Sequence, residues 1–345
     1  METCAIIKEL TSIPSPSGFE ENAQSAVKKI ISPYVDEVTD DVQGNLICRR
    51  FAKTTKFAKN IMLMAHIDEV GMMVTHVEPS GFIRFSKIGG VDPQLLQGHR
   101  VIILHNNSYV NGVVGALPIH MKNKDIQKSS LQFTDLWIDI GAVNREEAFQ
   151  KIQIGDPIII DNTTIVLSDD VISSRACDDK AGVAALLLTA KMLKGKDLSN
   201  NIVFVTSVQE EIGMRGAIVA SYNIQPDVCI VIDVTHATDY PSVQKSQYGE
   251  INIGAGVAIP VGSDLSVSMQ HKLIELATKM GIPFQRFALP GASGTDAHAA
   301  QVSRGGCLTG LVSIPCRYMH SPVECVSPND VKKVAELLTA FCEQW

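Results

Sequence analysis

The chain has 345 residues, 45 % hydrophobic and 19 % charged, an ordinary globular composition with enough apolar material for a sizeable core. Its formal net charge of -7 comes with no basic run, which excludes nucleic acid as the main partner because phosphate binding needs a clustered Lys/Arg face. No uninterrupted apolar run of about 18 residues marks a membrane span. No basic segment followed by a long apolar stretch opens the chain. The eight cysteines are scattered without a CxxC pair, as small buried hydrophobes in a reducing compartment would be. A cytoplasmic location is expected.

The length favours two domains, or one domain with a large insertion. Residues 2–10 (ETCAIIKEL) repeat apolar side chains at helical spacing, IPSPSG makes a turn, and a longer helix follows around EENAQSAVKKIISPY. VTDDVQGNLICRR predicts a hairpin around Gly44 and Asn45. NIMLMAHIDEVG is a nearly continuous apolar strand, as in a parallel sheet buried on both faces. After Gly71 the texture changes to short strands broken by turn residues, through GFIRFSKIGG, HRVIILHNNSYVNGVVGAL, DLWIDIG and DPIIIDNTTIVL. That spacing predicts a small β-barrel or sandwich. From Ser168 the α/β rhythm returns, with helices at DDKAGVAALLLTAKMLKGK, RGAIVASYN, SVSMQHKLIELATKMG and VSPNDVKKVAELLTAFCEQW. Strands are expected between them at NIVFVTSVQEE, DVCIVIDVT and CLTGLVSIPCRYMH. The expectation is one α/β domain, residues 1–71 and 168–345, interrupted by a β-rich insertion at 72–167.

The apolar strands of the α/β portion run into a His or a carboxylate: MLMAHID, FVTSVQEE, VIDVT and IPCRYMH. Ligands of open α/β sheets bind outside the carboxyl ends of the strands. Independent strands would therefore deliver metal-type ligands to one edge. His66 and Asp68 can face one way in an extended segment, one binding a cation and the other holding the imidazole. Asp178 and Asp179 open a helix, where compensation of the helix dipole is as good an account as ligation. Glu210 and Glu211 are adjacent, so one can ligate while the other faces a water. Asp233 follows wholly apolar CIVI, an awkward place for charge without a cation. His320 lies in YMHSPVE and is the weakest signal alone. His120 and His298 are better read as structural, and nothing in sequence supplies a base to Cys177. No GxSxG elbow or GxxxxGK[ST] loop occurs.

The order H-x-D, D, E-E, D, H resembles the co-catalytic metallopeptidases of the zinc-peptidase-like clan. With the β-rich segment between His66 and Asp178, the chain is similar to the M42 family of glutamyl/leucyl aminopeptidases, also labelled cellulase-like or tetrahedral aminopeptidases. The matching phrases are SGFE, GNL, AHIDEVGMMV, KIGG, DDKAG, EEIGMRGA, DVTHATDYP, SGTDA and HSPVE. The resemblance implies a mixed sheet flanked by helices with an inserted small β-barrel. It also implies two divalent metal ions, zinc or cobalt first and manganese next, bridged by Asp178. His66 and Asp233 would complete one ion, and Glu211 and His320 the other. Glu210 would act as general base and Asp68 would orient His66. Short peptides would be the substrates and a homo-oligomer, such as a dodecamer built from dimers, the assembly. Two other readings stand beside it. One is a glycoside hydrolase, which needs paired carboxylates independent of metal. The other is an inactive metal-stabilised scaffold, for which Glu210 would be superfluous.

Overall fold

The structure, a computed structural model, describes residues 2–53, 58–106, 108–121 and 130–345; residues 122–129 of the expected insertion lie outside that set. In chain order the strands are β1 Glu37–Asp40, β2 Leu46–Arg50, β3 Asn60–His66, β4 Gly71–Val77, β5 Ile83–Ile88, β6 Arg100–His105, β7 Ser108–Ala116, β8 Leu136–Asp139 and β9 Pro157–Ile160. They continue as β10 Ile165–Ser168, β11 Val171–Ser174, β12 Asn201–Ser207, β13 Val228–His236, β14 Val257–Gly262, β15 Phe284–Leu289, β16 Leu308–Arg317 and β17 Glu324–Val326. The helices are α1 Glu2–Ser12, α2 Glu21–Ile31, α3 Arg145–Phe149, α4 Cys177–Leu193, α5 Arg215–Ile224, α6 Lys245–Tyr248, α7 Val267–Met280, α8 Asp296–Gln301 and α9 Pro328–Gln344.

Eleven strands form one mixed sheet in the order β1-β2-β12-β3-β13-β16-β17-β11-β10, with β14 on β16 and β15 on β14. Its centre is parallel: β12 on β3, β3 on β13, and β13 on β16. These strands read as unbroken apolar runs because both of their faces are covered. Ile61, Leu63 and Ala65 face the larger core under α1, α2, α4, α7 and α9. Met62 and Met64, one residue out of phase, face a smaller core under α5 and α8. The alternation of side chains along a strand divides one sequence between two layers. α4 is buried along nearly its whole length, which explains why DDKAGVAALLL lacks a polar stripe. Alanines 217, 220, 297, 299 and 300 let α5 and α8 lie close on the opposite face.

The strands β4-β5-β8-β7-β6-β9 close into a separate barrel. Its core is wholly apolar, with Met72, Val74, Ile83, Ile103, Ile138 and Ile158 among its members. Strand β10, which follows the barrel, pairs antiparallel with β11 in the large sheet. β14 and β15 are strands that the sequence pattern does not mark. Among the described residues no helix is long and apolar enough to cross a membrane.

Candidate metal centre

The carboxyl edge of the parallel strands sets the site. Register pairs His66, the last residue of β3, with Ser207, the last of β12. Val231 of β13 pairs with Met64 of β3, so continuing that register two residues brings Asp233 level with His66, one strand spacing away. Glu210 and Glu211 lie beyond β12 in a turn entered through Gln209, whose φ is 56°. His320 lies beyond β16 in a turn where Tyr318 and His320 both have φ of 60°. Of the four apolar runs, only MLMAH carries its ligand as the final residue of a strand. Asp233 is inside β13, and the others sit on turns past the strand ends. Turns give the directional freedom that convergence on one point demands.

Asp178 and Asp179 begin α4 with non-helical backbone angles, so neither simply caps a regular first turn. Asp178 is the hinge of the arrangement. Its Oδ1 lies 3.1 Å from His66 Nε2 and its Oδ2 3.3 Å from His320 Nε2. His66 Nε2 is also 3.8 Å from Asp233 Oδ1, and His320 Nε2 is 3.2 Å from Glu211 Oε1. Among the described residues, His66, Asp178 and Asp233 offer ligand atoms within 4.8 Å of one another, and so do Asp178, Glu211 and His320. The two groups share Asp178.

Supporting contacts surround them. His66 Nδ1 faces the backbone carbonyl of Asp68 at 3.1 Å and the Asp68 carboxylate at 3.5 Å. That carboxylate also accepts from the Glu210 N–H at 3.0 Å, the Glu211 N–H at 3.2 Å and the Ser17 hydroxyl at 2.7 Å. Asp68, fully buried, thus ties the histidine to the glutamate turn. Sequence reasoning passed over Glu324, which accepts from the backbone N–H of Asp178 at 3.1 Å and of His320 at 2.7 Å. The available signal was a glutamate closing HSPVE beside an otherwise apolar strand. Also passed over was the buried Glu69, which pairs with Arg175 and, at 2.9 Å, with Lys180, anchoring the start of α4 to the segment after β3. The barrel contributes Gly90: a Cβ there would sit 2.6 Å from His320 Nδ1.

The electrostatics are those of crowded, buried carboxylates. Burial, with the charges of Asp233, Asp296 and Glu211 outweighing that of His66, pushes Glu210 up to about 10. Burial likewise drives Asp179 and Asp233 well above the carboxylate range. Burial alone would raise Asp178, but hydrogen bonds to His320 and His66 hold it below that range. Hydrogen bonds to Asp178 and Glu211 carry His320 up to about 11. Asp179 Oδ2 and Asp296 Oδ1 are buried without a hydrogen-bond partner. Two imidazoles, several carboxylates and no thiolate among the converging donors are a set that divalent cations fit. Cys177 is no nucleophile: it is fully buried, and burial raises its thiol well above the ordinary range. His120 is exposed, and His298 faces Asp264 at 3.2 Å. A cleft of about 710 Å³ between α2 and the barrel, around Phe19 and Tyr109, includes none of these ligand residues.

The model of the M42 glutamyl aminopeptidases matches residues 44–337. A relative from Acetivibrio thermocellus, which carries only a provisional aminopeptidase name, is 40 % identical over 98 % of both chains. The lysyl aminopeptidase of Pyrococcus furiosus is 34 % identical over 98 % of this chain and 96 % of its own. Among solved structures, the Pyrococcus horikoshii TET1 peptidase superposes with a TM-score of 0.89 at 31 % identity, over 99 % of this chain and 100 % of its own. That peptidase assembles into a tetrahedron or a large octahedral shell. The fold and these likenesses define an exopeptidase of the aminopeptidase class. The chain belongs to the M42 peptidase family.

Proposed function

We propose that the chain removes N-terminal residues from short peptides at a two-metal centre. His66, Asp178 and Asp233 would hold one divalent cation, and Asp178, Glu211 and His320 the other. The observation that carries this reading is the sharing of Asp178, one oxygen facing His66 and the other His320. Nitrogen and oxygen donors suit zinc or cobalt first, and manganese next. When bound, the cations supply Lewis acidity, polarising the scissile carbonyl and lowering the pKa of a water. With the cations beside it favouring its ionised form over the protonated one that burial alone would impose, Glu210 would accept the proton of the attacking water as its oxygen joins the carbonyl carbon. The same carboxyl then returns the proton to the amine as the C–N bond breaks. Asp68 holds the Glu210 and Glu211 N–H groups and so fixes base and ligand relative to His66.

Glu210→Gln keeps the side chain's size and removes its basicity. The expected result is unchanged metal content with turnover lower by about 10²–10⁴-fold. Loss of the metals together with activity would overturn the division between base and ligand.

The insertion, residues 72–167, is proposed to build a homo-oligomer, such as a dodecamer built from dimers, acting in the cytoplasm. Tyr109, Met121, Val143 and Ile154 are exposed apolar residues on this part of the chain, the kind of surface that protein contacts cover. A monomeric mass by light scattering would overturn the assembly without touching the chemistry.

A further inference from the structure

Beside the proposed centre lies an open pocket of about 560 Å³ with His236, Tyr240, Pro241, Val243, Gln247 and Tyr248 in its walls. Among the described residues its lining includes no carboxylate, ammonium or guanidinium group, and its volume is within the range used by small-molecule sites. Strand β13 places it. His236 is the last residue of the strand that carries Asp233. Tyr318, two residues before His320, packs on Tyr240 with ring centroids 5.2 Å apart.

The wall is clasped to β16. Arg317 donates to Asp239 through Nε at 2.7 Å and Nη2 at 2.6 Å. Asp239 also accepts from the Ile253 N–H at 3.0 Å, and the Ala237 N–H donates to the Cys316 carbonyl at 2.8 Å. These bonds hold the segment after β13 in place, and they pair the Asp239 and Arg317 charges with each other. The nearby Lys245 ammonium lies 4.0 Å from Glu250. The cavity among Val70, Leu96, Asp178, Glu211 and His320, which touches the centre itself, is smaller, about 40 Å³ against 560 Å³. Of these two spaces, the pocket beyond His236 is the roomier.

We infer that this pocket receives the side chain of the substrate's N-terminal residue and selects large uncharged side chains, such as those of Leu, Met, Phe and Tyr, over acidic or basic ones. This rests on the aminopeptidase reading and deepens it. A carboxylate or ammonium entering the pocket sheds water without meeting an opposite charge, whereas an apolar or aromatic side chain gains by the same burial. Family membership leaves the choice open, since the names of the family and of its relatives include both glutamyl and lysyl aminopeptidases.

The test is kcat/KM for the 4-nitroanilides of Leu, Phe, Glu and Lys, using the full-length protein supplied with zinc, cobalt or manganese. Leu and Phe are expected to exceed Glu and Lys by roughly tenfold or more. Gln247, exposed on the pocket wall, allows charge to be added without disturbing the core. Gln247→Glu should raise the Lys/Leu ratio, and Gln247→Lys the Glu/Leu ratio, each by about fivefold or more. As a readout without turnover, leucinamide should raise the melting temperature of the protein more than lysinamide does. A wild-type preference for Glu or Lys, or ratios unmoved by both Gln247 variants, would overturn the pocket assignment while leaving the aminopeptidase reading intact. Absence of turnover with every substrate and every metal would overturn that reading and this inference with it.

Discussion

The large sheet and the barrel solve opposite problems with the same kind of strand. In the sheet, β3 and β13 are apolar along their length and carry His66 and Asp233 at or near their carboxyl ends, buried beside Asp68 and Asp178. Among the described residues of the barrel the buried side chains are apolar, and one contact with the centre is a backbone one, Gly90 against the His320 ring. The difference shows where charge can be tolerated. A buried carboxylate needs donors or a cation, and only the sheet edge, where several chain segments converge, provides them. The barrel supplies shape and surface.

The comparison can be broken from either side. Ile138, fully buried in the barrel, should cost about 2–5 kcal/mol of stability when replaced by Ala. Denaturant melts should show that loss, while metal content and turnover per folded molecule stay unchanged. A loss of metal in Ile138→Ala would mean the two regions are not separable. Asp68→Ala attacks the opposite region. It deprives the Glu210 and Glu211 N–H groups and the Ser17 hydroxyl of their acceptor and should lower metal affinity or activity by about 10–100-fold. Metal titration of the variant measures it, and unchanged affinity and rate would remove Asp68 from the support of the centre.

Gly90→Ala tests one point where the regions meet. The added methyl, 2.6 Å from His320 Nδ1, must displace the ring. Turnover should fall roughly tenfold, as misplacements of about 1 Å at a catalytic group can cost even more. A fall in melting temperature without loss of rate would instead make Gly90 a purely structural residue.

The smallest effect is electrostatic and lies away from the site. Asp330 accepts from the N–H groups of Gly254 and Gly256, yet burial, reinforced by Asp170 and Asp239, raises its carboxyl from 3.8 to about 7. Because the folded pKa is the higher one, the contribution is fully present below pH 3.8 and is lost as pH rises through about 7. Asp330→Asn removes that dependence. Its stability relative to wild type should therefore improve between pH 4 and pH 7.5, read by denaturant unfolding at both values.

Much of this was legible in the residues, for reasons that also explain what was not. Long apolar runs such as NIMLMAH and CIVI announce strands buried on both faces, and acidic or histidine residues at their ends stand out because burial makes them costly. The change of texture after Gly71 announced the β-rich segment. β14 and β15 escaped notice because VAIPVG and FQRFAL are short and lack a clear alternation. Glu324 and Asp296 escaped because their importance arises only in three dimensions. Glu324 joins the backbone of Asp178, far away in the chain, to that of His320 four residues before it, and no periodicity encodes that. The assignment of strand Ile165–Ser168 to the sheet likewise depends on pairing with β11, which residue type alone does not specify.

Asp178 turns one oxygen to His66 and the other to His320, and this makes the two halves of the centre a single thermodynamic object. Under the proposed two-metal reading, a cation bound through one oxygen would redistribute charge on the other, so affinities on the two sides would be reciprocally linked. Neither half can be tuned alone: a substitution at Asp233 reaches Glu211 through that one carboxyl group.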